Sequence, residues 1–115
     1  RDPAVVQTYM ADPHCNPGKV KARMGYAYLV ALRPLRERLG ELRLPLLVIH
    51  GTDDRIAPCS GSELLYNRAS SADKMLKLYP GLYHEIHNEV EQAEVLDDIA
   101  AWLHDHLRDR VPSAD

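Results

Sequence analysis

Two short apolar runs, each closing on a glycine-containing turn, organise the chain. The first, Leu46 to His50, shows no polar alternation before His50-Gly51 and reads as a parallel strand covered on both faces. The second, Lys74 to Tyr79, draws its apolar content from Met75, Leu76 and Leu78 and stops at Pro80-Gly81. Helical spacing fills most of the rest. From Lys19 to Leu39 the residues Val20, Met24, Ala27 and Ala31 form one stripe, which Tyr28, Leu32 and Leu35 extend. Pro34 removes an amide donor inside that stretch, so a kink or a fresh start is expected there, with Gly40 as the stop. Ser60 and Glu63 fit a capping box for a helix from Gly61 to Ala69. A last helix is expected from Glu89 to Arg108, capped by Asn88, with Glu89 and Glu91 near its positive end and Arg108 near its negative end. Its buried face is expected at Leu96, Ile99, Leu103 and Leu107, with Trp102 beside it. Residues 1–18 are broken by Pro3, Pro13, Pro17 and Gly18 and leave room for one short helix, Ala4 to Met10.

The resulting order is a βαβ unit with a helical region in front, without repeats or low-complexity tracts. Two strands cannot bury their own faces. The run Leu46–Ile49 therefore expects neighbouring strands that this sequence does not encode. A self-contained globule of 115 residues would bury about 65% of its unfolded surface, and this pattern describes only part of such a core.

Composition narrows the classes. The chain is 45% hydrophobic and 27% charged, with a net charge of −3 and no Lys/Arg block. That balance argues against a nucleic-acid partner, whose affinity rests on a basic stripe. The longest nearly apolar stretch, Tyr26 to Leu32, is too short to span a bilayer. No signal peptide is visible, but the first residue is Arg1 rather than Met, so targeting stays open. Cys15 and Cys59 lack metal-ligand spacing and read as free thiols in a reducing compartment.

The candidate chemistry sits just past the two strand ends, where ligands bind in open α/β sheets. Asp53 and Asp54 follow the first strand and His84 follows the second. A carboxylate there can accept a hydrogen bond from one imidazole nitrogen while the other nitrogen takes a proton from a hydroxyl nucleophile. Asp53 competes with Asp54 for the acid role, and as a turn residue it has an ordinary reason to be there. His50 closes its strand and is expected to bond locally, while His87 helps position the loop or sits beside the site. The string His84-Glu85-Ile86-His87 is no zinc motif, because ligands four apart on one helical face are needed and these are three apart. No metal and no cofactor are expected. His104 and His106 read as surface. Gly-x-Ser-x-Gly is absent, Ser60 reads as a cap, and Cys59 has nothing nearby to depress its pKa. The nucleophile is therefore expected outside this chain.

HGTDDRIAP is similar to the His-Gly-x-x-Asp-x-x-x-Pro signature around the acid of the α/β-hydrolase superfamily. The wider pattern resembles its monoacylglycerol lipase and lysophospholipase branch over nearly the whole chain. It comprises Asp2-Pro3 and Tyr9 before Ala11-Asp12-Pro13, then LPLLVIHGTDDRIAP, then SADKMLKLYPGLYHEIHNE. The resemblance implies an α/β fold, the C-terminal part of an α/β-hydrolase: its last two parallel strands with flanking helices, preceded by part of a helical cap. Residues 1–40 would be the C-terminal part of the cap and 41–115 the core portion. The family's acid falls on Asp54 and its base on His84, while its serine and oxyanion donors would lie outside this chain, which alone would hydrolyse esters poorly. Tyr9 would offer its hydroxyl to a glycerol end and Ile56 would line the acyl pocket.

The implied substrate is a monoacylglycerol or a similar single-chain lipid ester, cleaved by the full-length enzyme. Met24, Tyr28 and Leu29 would give the cap a face for peripheral membrane contact, although packing in a core explains the stripe more simply. A cytoplasmic or peripherally membrane-associated location follows from the same resemblance. The loop Pro13 to Gly18, with Cys15 and Pro17, departs from the family pattern and puts the cap's selectivity in doubt. Rival readings are another α/β-hydrolase (a lysophospholipase or a peptidase) and a non-catalytic remnant or binding module. A receiver-like βαβ domain would leave the His84 loop unexplained. Oligomeric state is not legible.

Overall fold

The computed structural model describes residues 1–15 and 18–108. The chain runs α1 (Pro3–Ala11), α2 (Ala22–Arg38), a 3₁₀ turn (Leu39–Glu41), β1 (Leu46–Gly51), α3 (Ser60–Arg68), β2 (Lys74–Tyr79), a second 3₁₀ turn (Ile86–Asn88) and α4 (Gln92–Arg108). β1 and β2 lie side by side in parallel, Leu46 opposite Lys74 and Gly51 opposite Tyr79. Helix α3 is the crossover. The Lys74 ammonium donates to the Tyr66 and Ala69 carbonyls at 2.8 and 2.7 Å, placing a cation on the negative end of α3 where β2 begins. The arrangement is α/β, a parallel βαβ unit with two helices ahead of it in the chain.

Burial is sparse. Tyr79, Leu82, Ile86 and Val95 form the core cluster, with Ile49 and Ile99 packed against it. Along β1 only Val48 and Gly51 are buried. A compact domain of about this length has a radius of gyration near 13 Å; here it is 17.3 Å. Two strands leave much of their apolar surface unmatched by anything in the described residues. None of the helices among those residues is long and apolar enough to cross a membrane.

Several local expectations change. Helix α1 is capped as its sequence implies, Asp2 Oδ1 accepting the Ala4 amide at 2.8 Å with proline in the first turn. Helix α2 starts at Ala22, later than Lys19, and runs through Pro34 without interruption. Its stripe stays open to solvent: Met24, Tyr28 and Leu29 are each about two-thirds exposed (68, 64 and 67%), so it does not pack into a core within this chain. The capping box at Ser60 does not form. Backbone bonds from Gly61 to Pro58 and from Ser62 to Cys59, both 2.9 Å, already close the first turn, so Ser60 is itself helical. Asn88 does not cap α4, which begins only at Gln92; its amide instead donates to Glu85 at 2.8 Å, ending the 3₁₀ turn.

The buried face of α4 is also rotated from the expected one. Val95 is fully buried, and Ile99, Trp102 and His106 follow it inward. Leu96, Leu103 and Leu107 are 49, 47 and 58% exposed. The two stripes share Ile99 and differ by one position, about 100° of rotation. Polar contacts select between them. Asp98 accepts from the Tyr79 hydroxyl at 2.7 Å and from Lys77, and His106 contacts Asp73 at 2.7 Å. Pro17, in the departing loop, and residues 109–115 of the core portion lie outside the described residues.

Candidate active site

The two loops beyond the strand tips hold each other. The Thr52 amide donates to the Tyr79 carbonyl at 3.0 Å and the Asp53 amide to the Leu82 carbonyl at 3.0 Å. The Gly81 amide returns a bond to Thr52 Oγ1 at 2.9 Å. Gly51 makes this approach feasible, because a Cβ there would fall 2.3 Å from the Leu82 carbonyl oxygen and 2.5 Å from that of Tyr83. Gly81, at φ +76°, turns the chain after Pro80. The Arg55 guanidinium lies 5.8 Å from the Tyr83 ring centroid, joining the loops by a cation–π contact.

Asp54 and His84, 30 residues apart, meet between these loops: His84 Nδ1 lies 2.7 Å from Asp54 Oδ2. The Asp54 side chain is 1% exposed and that of His84 45%. The other carboxylate oxygen, Oδ1, accepts the Ile56 and Ala57 amides at 2.8 and 3.0 Å. Burial alone would push the Asp54 carboxyl upward. The His84 hydrogen bond, the two amides and the imidazole's charge outweigh it and bring the pKa down to about 2. The acid is thus ionised at neutral pH and its acceptor lobe is aimed at Nδ1. Nε2, on the far side of a half-exposed ring, faces outward and is placed to exchange a proton with a substrate or nucleophile.

The other sequence candidates separate from this pair. Asp53 is exposed and accepts a bond from the Thr52 hydroxyl at 3.1 Å, as a turn residue does. His87 and His104 are exposed. His106 is not a surface residue: it stacks on Trp102 with ring centroids 3.8 Å apart and clamps Asp73. His50 bonds locally, to Ser62 Oγ at 2.7 Å and the Ala57 carbonyl at 2.9 Å, and it also lies 3.1 Å from Asp54. Among the described residues no cluster of His, Cys, Asp and Glu side chains is arranged to hold a metal ion. Cys15 and Cys59 are free thiols.

Glu89 is the functional neighbour that sequence reasoning missed. Only 2% exposed, it accepts the Tyr83 amide at 2.8 Å and the Arg1 guanidinium at 2.9 Å. Burial opposes its charge, but those donors hold its carboxyl below the usual range. It fixes the residue before His84 from within. The pattern placed Glu89 in the first turn of a helix, and an acid there has an ordinary reason to be charged, so nothing marked it as buried.

Two cavities lie beside the segments that follow Asp54 and His84. Ile56, 77% exposed, lines one of about 800 Å³ whose other walls include Tyr28, Leu32, Leu35, Leu64 and Leu65. Tyr9 lines a smaller one of about 370 Å³ with Thr8, Asp12, Cys15, Glu85 and Asn88. The first is walled mainly by apolar side chains from α2 and α3; the second, between α1 and the loop that follows His84, mixes those polar groups with Ala4 and Val5.

The model of the family described as serine aminopeptidase, S33, matches residues 1–91. Over 107 residues the chain is 48% identical to a monoacylglycerol lipase of Mycolicibacterium smegmatis, covering 93% of this chain and 38% of that protein. It is 34% identical to the caffeoylshikimate esterase of Arabidopsis thaliana over 111 residues, covering 94% of the chain and 33% of the relative. The crystal structure of a Paleococcus ferrophilus monoacylglycerol lipase superposes with a TM-score of 0.83 at 28% identity, over 92% of this chain and 41% of that one. The chain thus spans about two-fifths or less of the length of the relatives it matches.

Proposed function

Because the chain belongs to the serine aminopeptidase S33 family of α/β-hydrolases, we propose that it supplies the acid and the base of a serine hydrolase that cleaves monoacylglycerols or similar single-chain carboxylic esters. The 2.7 Å bond between a buried, ionised Asp54 and a half-exposed His84 carries this reading. No Gly-x-Ser-x-Gly string occurs in the sequence, so the attacking serine and the oxyanion donors come from polypeptide outside this stretch. His84 Nε2 takes the serine proton as the hydroxyl attacks the ester carbonyl, then returns a proton to the leaving alcohol. Asp54 holds the Nδ1–H tautomer and stabilises the imidazolium between those steps. Residues 1–40 serve as part of a cap and 41–115 as the end of the core.

The apolar cavity beside Ile56 suits an acyl chain, and the Tyr9, Thr8 and Asp12 oxygens in the smaller cavity suit a glycerol end. The exposed Met24, Tyr28 and Leu29 on α2 give that cap a face for lipid surfaces, consistent with peripheral membrane association.

In the whole protein, Asp54→Asn should lower turnover by about ten-thousand-fold, by analogy with the protease template, and His84→Ala should nearly abolish it. Near-normal turnover of Asp54→Asn with any ester would refute the assignment. The likeness to an esterase of Arabidopsis supports a second reading, a carboxylic ester other than an acylglycerol. Rates across monoacylglycerols, lysophospholipids, aromatic esters and prolyl peptides separate these: the first reading requires single-chain acylglycerols to lead.

A further inference from the structure

A second imidazole lies against the carboxylate of Asp54. His50 Nε2 lies 2.9 Å from the Ala57 carbonyl and 3.1 Å from Asp54 Oδ2. Both neighbours are acceptors, so Nε2 carries the hydrogen, which goes to the Ala57 carbonyl; Asp54 Oδ2 is in contact without being hydrogen-bonded. Nδ1 of the same ring lies 2.7 Å from Ser62 Oγ. In a neutral imidazole that nitrogen accepts, which makes the Ser62 hydroxyl the donor. A hydrogen-bonded line therefore runs from the first turn of α3, through the end of β1, to the carbonyl of Ala57, whose own amide holds Asp54 Oδ1. The His50 side chain is 14% exposed, so little water competes for these bonds.

We propose that His50, with its tautomer set by Ser62, is a positioning residue for the hydrolytic reaction. The inference rests on the Asp54–His84 reading above. The Ile56 and Ala57 amides fix only Oδ1. His50 Nε2 holds the carbonyl of that same Ala57 and packs 3.1 Å from Oδ2, the oxygen bonded to His84, so it steadies the segment that anchors the carboxylate. The last torsion of an aspartate is broad. Without His50 the Ala57 peptide loses its tie to β1, the carboxylate it anchors can swing, and the bond to His84 loses alignment when the imidazolium forms. The defect belongs to the chemical step rather than to substrate binding.

The test uses the whole protein with a single-chain ester as substrate. His50→Ala should lower kcat about tenfold with KM nearly unchanged. His50→Gln, whose amide can reach the Nε2 position, should recover most of that loss. His50→Asn, whose shorter amide matches Nδ1 instead, should not. Ser62→Ala should cost about threefold. In the same variants the low-field proton resonance of His84 Nδ1–H should move upfield in the order of their kcat losses. Thermal unfolding identifies variants that fail to fold; if His50→Ala is one, the Gln–Asn contrast and Ser62→Ala carry the decision. Should kcat of His50→Ala stay within about twofold of the parent, or Gln and Asn be equally impaired, the positioning role is wrong. If Asp54→Asn is inactive in that experiment, only the role of His50 falls; a fully active Asp54→Asn overturns both.

Discussion

Gly51 has hydrogen in the one direction where the neighbouring loop leaves no space. A methyl group at that position would press into the Leu82 and Tyr83 carbonyls, and backbone cannot step aside as a side chain can. Gly51→Ala should therefore cost about 3 kcal/mol, read as a shifted urea midpoint, and displace His84 with it. Asp54 makes stability depend on acid. Its pKa falls from an ordinary 3.8 to about 2 on folding, so the ionised form is the one the fold favours. That contribution, about 2 kcal/mol, is complete above pH 4 and is lost as the pH drops toward 2. Asp54→Asn should flatten the stability curve across that interval in denaturant titrations of the whole protein. Glu89→Leu should cost about 1–3 kcal/mol by orphaning the Tyr83 amide. Asp54 and His84 were legible because each follows a strand end and the order acid-then-base is informative. The contacts of Glu89 were not, since one partner lies 6 residues back and the other 88, and local pattern holds no trace of such pairings.

Helix α4 shows how an element can be found while its orientation is not. Its body follows from spacing although it starts at Gln92, three residues later than expected, yet apolar periodicity offered two overlapping stripes and polar anchors chose between them. One anchor is titratable. His106 Nδ1 faces the Trp102 carbonyl at 2.6 Å and Nε2 faces Asp73 at 2.7 Å. Both are acceptors, so the geometry calls for the doubly protonated ring. The Trp102 carbonyl first, and Asp73 with it, outweigh burial and raise the His106 pKa above its ordinary 6.5. A raised value means the stabilising contribution is complete below 6.5 and fades as pH climbs through the folded value. Amide exchange in the last turns of α4 should therefore accelerate, beyond the intrinsic rise with pH, on moving from pH 6 toward 9. His106→Gln should remove that excess. Helix α3 was placed within a residue of its true start, but its cap was misread because the backbone closes the first turn one residue early.

At the scale of the molecule, the sequence's demand for further strands and the sparse core say the same thing. A radius of gyration of 17.3 Å, with Met24, Tyr28, Leu29, Leu103 and Leu107 open to solvent, describes a surface shaped to be covered. Expressed as this stretch alone, the polypeptide should unfold in urea without a sharp cooperative transition and bind a hydrophobic dye in dilute buffer, as loosely packed states do. A steep single transition with no dye binding would contradict that. The parallel βαβ order was legible because continuous apolar runs and breakers specify it, whereas depth of burial depends on what lies against the faces. The register that sets Gly51 beside Tyr79 also acts as a ruler. Each residue advances a strand by about 3.3 Å, so a slip of two positions would part acid and imidazole by more than the length of any hydrogen bond. Sheet alignment, decided by packing far from any substrate, is in this sense the adjustment screw of the chemistry.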